Sequence, residues 1–190
     1  MHPLPLALAA CAALASPALS RDVELKEHLF DITTNVSLVL QAPADWRVAA
    51  HRNPHDQAPV FTFLPKQGAA FSIMVTPLPE DVLEPGFGRL EKIRDMVEYN
   101  SMKLRGSAPG SRPPLRELKE PAAAEVVGYY VELRDPAPQP DRFPFLIQGA
   151  RGLPHLLLLF TVLTREPGGP EAALGLEMMR KAREALKRPG

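Results

Sequence analysis

The sequence predicts an α+β protein in which a single, mostly antiparallel β-sheet is sandwiched between two α-helices. Three observations predict it. Runs of β-forming residues alternate with prolines, two longer segments repeat their apolar residues at helical period, and residues 156–163 are apolar at odd and even positions alike. A strand with apolar residues on both sides needs cover on both faces, which places it centrally in a sheet. Each of the two helical stripes supplies one cover.

Strands are expected at residues 36–41, 46–49, 60–64 and 71–76. Prolines lie between these runs rather than inside them, because proline cannot donate to a sheet ladder. Pro65-Lys66-Gln67-Gly68 joins the third and fourth run in so few residues that only an antiparallel neighbour is reachable. A helix follows over residues 87–104, with Phe87, Leu90, Ile93, Val97 and Leu104 on one stripe and Lys92, Asp95, Tyr99 and Lys103 facing away. The Gly/Ser/Pro-rich residues 105–114 then read as a mobile loop within the domain.

The second half repeats the strands-then-helix order without residue-level repetition. Strands are expected at residues 115–119, 126–133, 145–150 and 156–163, with a long loop at 134–144 carrying Pro136, Pro138 and Pro140. Arg151-Gly152-Leu153-Pro154-His155 is the short antiparallel link between the last two. The closing helix, residues 170–187, buries Leu174, Met178, Ala182 and Ala185. Pro170 suits a first helical position, Glu171 the positive end of the dipole, and Arg183, Lys187 and Arg188 the negative end.

Residues 1–20 contain no Lys, Arg, Asp or Glu and end in Ala18-Leu19-Ser20 ahead of Arg21-Asp22. Within them an apolar stretch of about a dozen residues before a small-x-small step is the pattern of a secretory signal peptide, and it is too short to span a bilayer. The expected domains are therefore a signal peptide at 1–20 and one mature domain at 21–190, periplasmic or secreted. Leu8-Ala9-Ala10-Cys11 also reads as a lipobox, the alternative being a lipid anchor at Cys11 in the envelope. Against it, the apolar run before Cys11 is short, lacks a preceding positive charge and continues to Leu19.

Composition narrows the chemistry. Cys11 is the only cysteine, so the mature chain has no thiol for a disulfide, a thiolate metal site or a cysteine nucleophile. The 22 basic residues equal the 22 acidic ones, which removes the footprint of a nucleic-acid or anionic-membrane binder. No second apolar run approaches membrane-spanning length.

An opening strand closed by Pro43-Ala44-Asp45-Trp46, a Phe-rich hairpin, a helix, the strand with Gly128-Tyr129-Tyr130, a long apolar strand and a C-terminal helix follow in order over residues 32–188. That order resembles the Mog1/PsbP-like α/β/α family. Its members include a Ran-binding nuclear protein, a photosystem subunit and bacterial envelope proteins. The resemblance implies the sandwich fold and an accessory or binding role. It carries over no catalytic residue and no cofactor.

The residues themselves yield few sites. His51, His55 and Asp56 form the only close histidine pair with a carboxylate, but Pro54 breaks the helical spacing that a shared metal needs, so a polar loop is expected and no metal. Lys26-Glu27-His28 lacks the His-Glu-x-x-His pattern. Ser101, Ser107 and Ser111 have no Gly-x-Ser-x-Gly setting, and Glu80 with Asp81 reads as a solvated turn. Gly168-Gly169-Pro170-Glu171 with Arg165 nearby has the form of an anion seat, yet Glu166 and Glu171 oppose an anion and the glycines suffice as a turn. Trp46, Phe61, Phe63, Phe71 and Phe160 read as core, and Tyr129 and Tyr130 as opposite faces of one strand. The expectation is a noncatalytic envelope module contacting an envelope protein or small ligand through its loops. The alternative is a small periplasmic enzyme, such as a metal-assisted hydrolase, whose site assembles from distant residues.

Overall fold

A computed structural model describes residues 23–52, 58–104, 113–135 and 137–187. Residues 105–112 of the expected 105–114 loop, with Ser107 and Ser111, and the residues His55 and Asp56 lie outside it, as does residue 136. The chain is α+β, with antiparallel strands predominating and two α-helices.

Seven strands form the larger sheet in the order β3-β4-β5-β9-β8-β7-β6. They are β3 (Arg47–Arg52), β4 (Pro59–Leu64), β5 (Phe71–Pro79), β6 (Leu115–Lys119), β7 (Val126–Arg134), β8 (Phe145–Gly152) and β9 (Leu156–Thr164). The pairings among these strands are antiparallel, and β9 lies between β5 and β8 as its two-sided apolar pattern requires. The long 134–144 loop is cinched at its base, where Asp135 N–H donates to the Pro144 carbonyl at 2.8 Å.

The single sheet expected from sequence is corrected to two. A second sheet of three strands, in the order β1-β2-β10, is made by β1 (Leu25–Asp31), β2 (Val36–Pro43) and β10 (Arg183–Leu186). Neither β1 nor β10 was legible as a strand. In β1 the outward residues Leu25 and Leu29 are exposed while His28 and Phe30 turn inward, so the alternation carries no apolar/polar signal. In β10 the residues Arg-Glu-Ala-Leu continue the helical period of what precedes them. Pairing with β2, Arg183 opposite Val39 and Leu186 opposite Val36, overrides that local preference.

Alternation along β9 distributes two hydrophobic clusters. Leu157 joins Ile93 and Val97 of helix α1 (Leu90–Leu104), together with Val131 and Ala150. Leu156, Leu158, Phe160 and Val162 join Ile73, Val75, Leu38, Leu40, Met178 and Met179. The second face is thus covered jointly by α2 (Pro170–Lys181) and the inward residues of β2, and not by a helix alone. Aromatic residues fill this cluster: Phe61, Phe63, Phe71 and Phe160 are buried, and Trp46 packs on Phe71 with centroids 4.5 Å apart.

The helices also differ from expectation in extent. Residues 87–89 form turns before α1, with Gly86 at φ +79°, and Leu104 has its side chain outside the described structure. Helix α2 stops at Lys181, because Ala182 takes an extended ψ of 138° that leads into β10. Its buried stripe is Ala172, Gly175, Leu176, Met178 and Met179, while Leu174 is only half-buried and Ala185 belongs to β10. Arg180 and Lys181, rather than Arg183 and Lys187, are the cations of the last turn.

Candidate functional site

The ends of several elements converge where α2 gives way to β10. Strand β8 alternates Ile147, Gly149 and Arg151 toward the α2 side, so Arg151 enters the sheet at an inward position, opposite Leu158 on β9 and Gly128 on β7. Its side chain is buried, 5% exposed. Nη1 donates to the carbonyl of Met179, in the last turn of α2, which also accepts the backbone N–H of Ala182 at 3.4 Å. Nε is buried and has no hydrogen-bond partner. Burial draws the guanidinium below its ordinary pKa, and the charge of Glu120, just beyond β6, pulls it back up. Among the described residues Arg151 forms an ion pair with no carboxylate.

Arg151 lines a cleft of about 670 Å³, of the size that holds small ligands, although its mouth is wide. One wall is the turn between β8 and β9. There His155 is gripped at two points by Glu184 of β10: the backbone N–H donates to Oε1 at 2.8 Å, and ring Nδ1 lies 2.9 Å from Oε2. The Glu184 side chain is only 6% exposed whereas that of His155 is 50% exposed, so a buried carboxylate orients an accessible imidazole. Also on the lining, Arg180 and Lys181 both reach Glu177, at 3.5 and 3.1 Å. Arg183 reaches Glu27 across the small sheet at 2.7 Å, which holds the Glu27 carboxyl below its ordinary pKa. Among the described residues that line this cleft there is no serine, threonine or cysteine.

The residues singled out from sequence lie elsewhere. His51 is exposed on β3, the edge strand farthest from β6, and its proposed companions His55 and Asp56 are outside the described residues. Among the described residues no group of three or more His, Cys, Asp or Glu could hold a metal ion. Ser101 is buried in α1, its hydroxyl donating to the Glu98 carbonyl at 2.7 Å. Glu80 and Asp81 are exposed in a 3-10 turn. Arg165 turns from the start of α2 to the Ala69 carbonyl and the Phe143 ring, and Gly168 takes φ +63°, so Gly168-Gly169-Pro170 serves as the turn into the helix. Tyr130 is buried in the cluster beneath α2, and Tyr129 packs on the opposite one.

In the sequence Arg151 and His155 read only as parts of a short link, and Glu184 falls inside the expected helix at 170–187. One signal was readable in advance: Arg151 follows Ile147 and Gly149 at inward parity in a β-run, where a cation is out of place without a partner. The His155–Glu184 contact had no such signal, because it depends on β10 being a strand. No protein-family model matches the chain, and no curated protein matches it.

Proposed function

We propose that the chain is an exported, noncatalytic binding or accessory protein of the bacterial cell envelope, built as a Mog1/PsbP-like α/β/α sandwich and working through the cleft around Arg151. The observation that carries the reading is that cleft: three strand ends and a helix terminus enclose a buried, incompletely partnered arginine, with no hydroxyl or thiol nucleophile among the described residues of the lining. The helices that pack on opposite faces of the seven-stranded sheet support the sandwich, and the uncharged, apolar residues 1–20 support export to the periplasm or beyond. The test is to purify the chain from an envelope fraction, release bound small molecules and identify them by mass spectrometry. Ala122, exposed on the turn after β6, lines the same cleft, so Ala122→Trp blocks it without touching the core. A ligand retained by the natural chain and lost from Ala122→Trp supports the reading. Equal retention by both, or none by either, removes the cleft from it.

A second reading rests on the His155–Glu184 pair, the one arrangement here that combines an oriented imidazole with a buried carboxylate. In a small periplasmic enzyme such a pair serves as general base toward water, with Arg151 as the nearby cation. Hydrolysis of an ester or phosphoester panel that disappears in His155→Gln would favour it over the binding reading.

A further inference from the structure

We propose that the cleft takes a small oxyanion, a carboxylate or phosphate group, seated on the guanidinium of Arg151; this rests on the binding reading above. A guanidinium removed from water is normally compensated by an anion and by acceptors for its donors. Arg151 has neither in full. Its Nη1 is occupied by the neutral carbonyl of Met179, and its Nε, shielded from water, faces no acceptor. A guanidinium offers two paired-donor edges, and engagement of Nη1 leaves the Nε/Nη2 edge for the parallel two-point contact that carboxylates and phosphates make. Nε is out of contact with water in this structure, so engaging that edge requires the side chain to turn toward the cleft.

The surroundings favour an anion. Among the described residues the lining carries four fixed cations, Arg151, Arg180, Lys181 and Arg183, against two carboxylates, Glu120 and Glu184. The carboxylate of Glu184 is committed to His155. Three of the cations are tied to Glu177 or Glu27 outside the lining, so they steer an anion more than they grip it. Glu120 is the remaining competitor: it acts on Arg151 through its charge without forming an ion pair. A role for Arg151 confined to capping α2 engages Nη1 alone and leaves the charge of Glu120 irrelevant to any ligand.

That difference sets the experiment, calorimetric titration of the whole chain at low salt with inorganic phosphate in one arm and tricarballylate in the other. At least one arm is expected to give saturable one-to-one binding with Kd below about 1 mM. Glu120→Gln, which changes a half-buried residue at the end of β6, is expected to tighten binding about threefold or more by removing the competing charge. Arg151→Lys keeps the charge but loses the fork, and is expected to weaken binding about tenfold with its unfolding midpoint measured alongside. The arm that binds names the oxyanion class. Absence of binding in both arms up to about 10 mM, for the natural chain and for Glu120→Gln alike, overturns the proposal, as does Arg151→Lys folding and binding as tightly as the natural chain. If Arg151→Lys does not fold, the direction of the Glu120→Gln change decides. A neutral or cationic ligand recovered from the envelope fraction leaves the binding reading standing and sinks only the oxyanion.

Discussion

Exchanging Met179 for alanine tests which stripe of α2 faces the sheet. Met179 is 0% exposed and packs in the cluster with Ile73, Leu158 and Val162, whereas Leu174, which the simple helical period places in the core, is half-buried. Truncating a buried methionine to alanine costs about 2–5 kcal/mol, the lost transfer energy plus a cavity term. Against a typical domain stability of about 5–15 kcal/mol that is a large share. For a chain of this length each kcal/mol lowers Tm by about 2–4 °C, so Met179→Ala is expected to melt about 4–20 °C below the natural chain. Leu174→Ala, which removes surface already in part solvated, is expected to cost under about 1 kcal/mol and less than about 4 °C. Circular dichroism melts of both variants read the difference directly. If Leu174→Ala costs as much as Met179→Ala, then α2 is rotated from the orientation described, and the carbonyl that meets Arg151 is not that of Met179.

Gly149→Ala is expected to be severe, at least about 3 kcal/mol, because a Cβ there would lie 2.5 Å from Phe160 Cζ and 2.5 Å from the Tyr129 carbonyl oxygen. Gly88→Ala, with nothing within 4 Å of the added carbon, should change the melting point little. His28, half-buried between Phe30 and Phe63 with Nε2 unpartnered, has its pKa lowered by desolvation first and by the charge of Lys26 second. The unfolded chain therefore takes up this proton at higher pH than the folded one. The contribution is fully present above the unfolded value of about 6.5 and is lost as pH falls toward the folded value. His28→Phe is expected to flatten the fall in urea midpoint below about pH 6.5, and an unchanged slope would assign the acid sensitivity to other groups. Expression with export is expected to give a mature N-terminus at Arg21, read by intact mass, and an acylated species beginning at Cys11 would replace the secreted form by a membrane-anchored one.

The larger sheet was legible because its information is local. Leu156–Thr164 declares its central place by apolar residues on both faces, and short links permit only antiparallel neighbours, the one between β8 and β9 being just Leu153-Pro154-His155 once Arg151 and Gly152 join β8. The smaller sheet was not, because its identity is a property of distant partners. Arg183–Leu186 becomes a strand only when β2 offers Val36–Pro43 as an edge, and β1 joins it from the other side through Leu29 opposite Val39. Cross-sheet ion pairs then fasten the assembly: Lys187 meets Asp31 at 2.9 Å, and with Ser37 it holds that carboxyl below its ordinary pKa, as Arg183 does for Glu27.

The site inherits this dependence. Glu184 reaches His155 only as a member of β10, and the cleft exists only because α2 ends at Lys181 instead of running on to residue 187. Ala182 is the point on which both turn. Its extended ψ releases the chain from the helix, leaves the Met179 carbonyl within reach of Arg151, and starts the strand that carries Glu184 to the β8–β9 turn. The same four residues that read as helical continuation, Arg-Glu-Ala-Leu, thus close the second sheet and build one wall of the cleft. A change that favours helix there acts on fold and site together: Arg183→Ala removes the tie to Glu27 and raises helix propensity by a few tenths of a kcal/mol, so it should loosen the His155–Glu184 contact even though it touches neither residue.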